Sequence, residues 1–202
     1  MPTLSEPRRH AGGQRRQAVL DDVVRVLVEH GYQQTRFRDV AEVSGVAIST
    51  LQTYFGSRED MLVEALRTAT DGETSAMRHE VAQVADPWDR LLLLVDRGLE
   101  TPAPVWRMLM EFWTAAAHDE ELREHSVSLQ QRYREPFETV LREGVDSGAF
   151  RTAHDAEALA DLIVACLDGL LYPRVLAHPR PVPAALRTVL LDQLQHALGV
   201  ER

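Results

Sequence analysis

Apolar residues recur along this chain at spacings of three and four, strand-like alternation of β-branched residues is absent, and Gly and Pro fall at the joints. One face of a 3.6-residue helix has that spacing, so the pattern predicts an all-α fold of about nine helices. Val19, Leu20, Val23, Val24 and Leu27 make the inner stripe of a first helix over 14–30, with Gly31 placed to end it. Residues 1–14, which hold Pro2, Pro7, Gly12 and Gly13, read as a disordered arm. Further along, Ser57 and Asp60 form an S-x-x-D capping box, and Asp86-Pro87 pairs an N-cap with Pro at the first helical position. Asp119 opens a long charged helix to about 147, which Pro136 should bend because an interior Pro removes one backbone hydrogen bond. Thr152 or His154 is the expected cap of the next helix. "HPRPVP" at 178–183 then leads, as a stiff extended link, into a last helix over 184–198.

The stretch TRFRDVAEVSGVAISTLQTYFGSRED, residues 35–60, is denser in signals. Two short helical patterns, 38–44 and 48–55, flank Gly45, where a positive φ is cheap only for a residue without Cβ. Leu51 and Phe55 face inward, which leaves Ile48, Ser49, Thr50, Gln52, Thr53 and Tyr54 as the outward set. Two helices joined by a short Gly-containing turn are the helix-turn-helix arrangement. Small and polar groups on its second helix suit a major groove: Gln52 can pair bidentately with adenine, Ser49 and Thr50 can reach several base edges, and Ile48 can meet a thymine methyl. Arg16, Arg36, Arg38, Tyr54 and Arg58 stand at helix starts and groove margins, where phosphates would lie. The same spacing also fits a helical corner that binds nothing.

Net charge changes this picture less than its total suggests. The chain of 202 residues carries a formal charge of -9, which by itself argues against nucleic acid. Residues 1–60, however, hold eight Arg against eight acids, and the excess acid lies beyond them, 23 against 14 Arg. No apolar run approaches the roughly 20 residues of a membrane span, and no apolar segment follows the N-terminal Arg residues as in a signal peptide, so a cytoplasmic protein without membrane contact is expected. Cys166, the single cysteine, excludes an internal disulfide and a Cys-based zinc cage. The eight His include no H-E-x-x-H pair, and neither a Gly-rich phosphate loop nor a G-x-S-x-G motif occurs, so no cofactor, metal or enzymatic role is indicated.

Over residues 15–66 the sequence resembles the TetR family of bacterial transcriptional regulators. The family's pattern, roughly G-y-x-x-T-T-x-x-D-I-A-x-x-A-G-V-S-x-G-T-L-Y-x-Y-F-x-S-K-E-x-L, is met by Gly31, Tyr32, Thr35, Asp39, Val40, Ala41, Gly45, Val46, Thr50, Leu51, Tyr54, Phe55, Ser57, Glu59 and Leu62. The resemblance implies a homodimeric repressor with a reader over 15–60 and a ligand-binding and dimerisation domain over 61–202, released from double-stranded DNA by a small-molecule effector. Carried over by position, Ile48, Ser49 and Thr50 would approach bases, Tyr54 and Arg58 would meet phosphates, and Arg38 would enter at the groove. Four positions depart from the pattern. Arg36 replaces a helix-capping Ser or Thr, Ala47 and Ser49 replace Ser and Gly in the turn region, and Gln52 replaces a Tyr. A ligand-binding protein with a vestigial reader is the alternative these changes leave open, and a helical enzyme a more distant one.

In the larger domain Trp106, Met110 and Trp113 fall at i, i+4 and i+7, and with Tyr133 they suggest an adaptable apolar pocket in which Arg107 or Glu111 could orient a polar group; ordinary core is the alternative. The resemblance implies that the last two long helices pair with their copies in a partner subunit. Leu159, Ile163, Cys166, Leu167, Leu170, Leu190 and Leu194 would then supply the interface, unless these stripes pack within one chain.

Overall fold

The computed structural model describes the backbone of residues 7–201 and the side chains of residues 15–201. Within them the chain is helical with no strand. Nine helices have eight or more residues: α1 (Pro7–His30), α2 (Phe37–Ser44), α3 (Ile48–Phe55), α4 (Arg58–Val81), α5 (Pro87–Glu100), α6 (Ala103–Ala116), α7 (Glu120–Asp146), α8 (Ala156–Asp168) and α10 (Pro183–Leu198). Between the last two lies α9 (Leu171–Val175), a single short turn.

Helix starts follow local chemistry. The Ser57 hydroxyl accepts from the Asp60 N–H at 3.0 Å while the Asp60 carboxylate accepts from the Ser57 N–H at 3.3 Å, so two backbone donors at this helix start are satisfied reciprocally. Asp86 and Asp119 likewise accept from Asp89 and Leu122, each at 3.0 Å. α8 is capped by Asp155, not by Thr152 or His154; a carboxylate also interacts favourably with the positive end of the helix dipole.

Two expectations from the sequence need correction. The arm expected over 1–14 is helical from Pro7 onward, and its first six residues lie outside the described ones. Pro7 stands at the first helical position, where its missing N–H breaks no bond, and Arg and Ala are good helix formers beside Gly12 and Gly13. A short helix, α9, stands between α8 and the link at 178–183, where the sequence reading places none. Pro136 sits buried inside α7, which runs through it unbroken.

Two cores hold the helices. The first joins Val23, Leu27, Val40, Leu51, Phe55 and Leu62 of α1–α4 to Met108, Phe112 and Ala116 of α6. The second packs α5, α7, α8 and α10 around Leu94, Phe137, Leu141, Ile163 and Leu194. α4 takes part in both, through Leu62 at one end and Met77 at the other. The reader is therefore seated on α6 as well as on α4, and Tyr32 and Phe112 meet edge to face with centroids 5.5 Å apart.

Candidate nucleic-acid interface and effector cavity

Gly45 (φ 66) ends α2 in the left-handed region, its N–H bonded to the Ala41 carbonyl, and Val46 is buried in the turn. Leu51 and Phe55 anchor α3. Ile48 (42% exposed), Ser49, Gln52 and Thr53 lie open on the opposite face, with Thr50 and Tyr54 half-buried at its edges. The Thr53 hydroxyl donates to the Ser49 carbonyl at 2.9 Å, so its methyl is the more available group. Arg36 is the N-cap residue of α2 with no side-chain cap. Thr35 does not substitute, because its hydroxyl is buried and donates to the Gly31 carbonyl at 2.8 Å. Asp39 instead accepts from the Arg36 N–H at 2.8 Å, which satisfies one donor at that end.

The four arginines expected to meet phosphates divide into two groups. Arg58 is only 19% exposed; it donates to the Thr35 carbonyl at 2.7 Å and to the Tyr32 carbonyl, stands 5.3 Å from the Tyr32 ring centre, and pairs with Glu59 at 3.0 Å. Arg16 forks onto both oxygens of Glu64, reaches the Tyr54 carbonyl at 3.4 Å and lies 5.0 Å from the centre of the Phe55 ring. These guanidiniums brace the reader from within, each already engaged by protein acceptors. Their planar forks match two fixed acceptors at once, which gives a geometric reason for Arg at both places. Arg38, by contrast, has 80% of its side chain in solvent and only Asp39 beside it at 3.3 Å. Arg36 is exposed, with one nitrogen on the Gln33 and Thr35 carbonyls.

Behind the reader lies a cavity of about 290 Å³, walled by α1, α4, α6 and α7 and closed by residues at the ends of α5 and α8. Trp106, Trp113 and Tyr133 line it as the sequence suggests, together with Leu109, Leu66 and Val28. Arg107, Met110 and Glu111 do not. At about 100° per residue the cavity face of α6 centres on Leu109, and Met110 and Glu111 turn progressively away from it. Arg107 is exposed, and Glu111 accepts from the Gln33 N–H at 3.0 Å in the turn between α1 and α2. Its carboxylate presses against Gly31, where φ is 84 and a Cβ would collide with it.

Three polar lining residues carry no distinct mark in the sequence: Glu73, Gln130 and Asp168. Glu73 receives two hydrogen bonds from Arg97, one of them at 3.0 Å, and Arg97 also reaches Glu80 at 2.6 Å. Asp168 accepts from the Gln130 amide at 2.8 Å. Burial raises its carboxyl above the ordinary value, an effect the amide bond partly offsets. The Tyr133 phenol is raised strongly, first by burial and then by the negative charge of Asp168 and Glu73. The Trp106 indole N–H is buried with no acceptor among the described residues.

The residues named above for a subunit interface sit in the chain's own core. Leu159, Ile163, Leu167, Leu170, Leu190 and Leu194 are buried within one subunit, and Cys166 is half-buried, its thiol raised by desolvation. An apolar stripe satisfies its burial against whichever helix lies beneath it, and here that is α5 and α7. Leu162 (51% exposed) and Val189 (58% exposed) are the large apolar side chains that α8 and α10 leave in solvent, with Tyr172 of α9 beside them in sequence.

A reading helix on a braced corner, set over a cavity, defines a helix-turn-helix regulator with a ligand-binding domain. The chain belongs to the TetR family of bacterial regulatory proteins: residues 19–65 match its N-terminal domain, and residues 87–199 match the C-terminal domain of BetI-type transcriptional repressors. It is a DNA-binding transcriptional regulator of a non-enzymatic family. It is 26% identical to the transcriptional regulator BetI of Rhizobium meliloti over 193 residues, covering 91% of this chain and 88% of the relative. The fatty acid metabolism regulator of Bacillus subtilis is 23% identical over 183 residues, 87% and 91% of the two chains. Among solved structures, a regulator from Saccharomonospora viridis in complex with choline aligns with a TM-score of 0.77 at 29% identity, over 94% of this chain and all of that one. FadR of Bacillus subtilis in complex with stearoyl-CoA shares the fold, with a TM-score of 0.73 at 21% identity over 92% and 99% of the chains. Among the described residues no helix is long and apolar enough to cross a membrane, and no His, Cys, Asp and Glu cluster could hold a metal.

Proposed function

We propose that the chain is a ligand-responsive, homodimeric cytoplasmic repressor that binds a palindromic operator through α3 and releases it when a small molecule fills the cavity. The observation that carries this reading is the placement of α6. One face lines the cavity with Trp106 and Trp113, and another is tied through Glu111 to the turn on which α2 is seated. A ligand that shifts this wall acts directly on the seat of the reader. Such a ligand must prefer the non-reading conformation, since one with equal affinity for both moves nothing; a swing from 1:99 to 99:1 needs a preference of about 10⁴-fold.

In this reading Ile48, Ser49, Thr50 and Gln52 touch bases, Thr53 and Tyr54 flank them, and Arg38 and Arg36 meet phosphates from the start of α2. The relative from Saccharomonospora viridis, which holds choline, supports a small organic effector for a chain of this fold. Selection of duplexes from a random pool, followed by fluorescence anisotropy with and without cavity ligands, tests the proposal. An enriched palindrome whose affinity falls on ligand addition is the expected result. A pool that yields no enriched sequence would leave a ligand-binding protein with an unused reader.

A further inference from the structure

The residue types on α3 carry a base preference. The helix reads ISTLQTYF. It holds no Arg or Lys, the side chains that pair with guanine, and no Asp or Glu to accept from a cytosine amino group. Its exposed set is Ile48, Ser49, Gln52 and Thr53. At about 100° per residue these span an arc of about 140°, with Ile48 at one edge, Thr53 at the other, and Gln52 and Ser49 between them. Ile48 is the one large apolar side chain that α3 leaves in solvent. The Thr53 hydroxyl is already engaged on the Ser49 carbonyl at 2.9 Å, so a methyl is what this residue offers to a partner. Nearby cations do not supply what α3 lacks: Arg16 is held by Glu64, and Arg58 by the carbonyls of Thr35 and Tyr32.

We propose that the base pairs beneath α3 in each half-site are A·T: Gln52 pairs with an adenine, and Ile48 and Thr53 pack on thymine methyl groups to either side of it. The inference rests on the reading of α3 as the helix that enters the operator, and it adds Thr53 to the residues that touch bases. A Gln amide offers one acceptor and one donor, which match the N6 amino group and N7 of adenine. Guanine presents two acceptors at the same edge, so the amide oxygen would face another oxygen or nitrogen acceptor. Thymine alone brings a methyl into the major groove, and packing Ile48 and Thr53 against it removes apolar surface from water. Ser49 bonds to whichever base edge faces it. The chain contains neither Lys nor Asn, whose codons are rich in A and T, which points to a G·C-rich gene. Against that background an A·T half-site is rare, and site frequency multiplies the specificity ratio that sets operator occupancy.

Selection of duplexes from a random pool, run with the full chain and with Gln52→Ala and Ile48→Ala, identifies the base pairs beneath α3 as those whose enrichment changes. They should be A·T. Fluorescence anisotropy on the selected operator then resolves the contacts atom by atom. Deoxyuridine in place of a contacted thymine removes only the methyl and should weaken binding about fourfold, the effect of one buried methyl group. 7-Deazaadenine in place of the adenine removes the N7 acceptor and should cost about threefold or more. Each loss should vanish in the matching variant: Ile48→Ala or Thr53→Ser for deoxyuridine, Gln52→Ala for 7-deazaadenine. Thr53→Val keeps a methyl and lacks the hydroxyl, so it should bind the unmodified operator as tightly as the unsubstituted chain. Thermal melting of the variants should coincide with that of the unsubstituted chain, because all three positions are exposed. G·C pairs enriched beneath α3, indifference to both base analogues, or weaker binding by Thr53→Val overturns the assignment and leaves operator binding itself standing. A pool with no enriched sequence overturns operator binding and this inference together.

Discussion

At the scale of single residues, the reader's arginines divide by what they touch. Arg58 and Gln52 lie six positions apart, yet one closes the corner from inside and the other stands in solvent on the reading face. Arg58→Ala leaves two carbonyls of the α1–α2 turn without their charged donor, and hydrogen bonds to charged groups contribute roughly 1.5–3 kcal/mol. Urea denaturation should therefore show a loss of about 2 kcal/mol, with Arg58→Lys recovering little because an ammonium does not span both acceptors. An unchanged midpoint in Arg58→Ala would return that residue to the phosphate-binding set. Gln52→Ala should behave in the opposite way: stability within about 0.5 kcal/mol, and a loss of roughly 1–3 kcal/mol confined to one base position of the operator. Uniform loss across every operator variant would show that Gln52 does not read a base.

At the scale of elements, α6 is where sequence reasoning reached the right helix and the wrong edge of its face. Trp106 and Trp113 announce a cavity because aromatics at i and i+7 share a side, but a spacing of four admits Met110 as readily as a spacing of three admits Leu109. Only the packing of α1 against α6 separates them. The capping boxes and the Gly45 turn were legible for the converse reason, since their chemistry closes within a few residues of chain. Glu111 had no such local signature; its partner is Gln33, 78 positions away. If this contact carries the cavity's state to the reader, Glu111→Ala should shrink the ratio of operator affinities measured without and with saturating ligand by about fivefold or more, within the 1–3 kcal/mol usual for coupling between sites. A variant that keeps the full ratio would place the coupling on α4 alone.

At the scale of the whole molecule, operator recognition by the proposed dimer depends on which face meets a second copy. Reading helices must stand one helical turn apart, roughly 34–36 Å, to enter successive major grooves, and a two-fold axis between subunits sets that distance. The leucines of α8 and α10 that the sequence nominates are buried against α5 and α7, so in the proposed dimer the partner would be met by residues pointing the other way, Leu162 and Val189 foremost. An apolar stripe in a sequence reports that a face is buried and not against what. The two roles separate by mutation. Leu167→Ala empties space beside Gly98 in the monomer core and should lower stability by roughly 2–5 kcal/mol while the protein stays dimeric. Leu162→Arg, combined with Val189→Asp, should leave helical content and cavity-ligand affinity nearly unchanged while sedimentation equilibrium at micromolar concentration returns the monomer mass. Operator affinity should fall with it, because each half-site is then held alone. A double variant that still sediments as a dimer would move the two-fold axis off α8 and α10, and with it the half-site spacing expected of the operator.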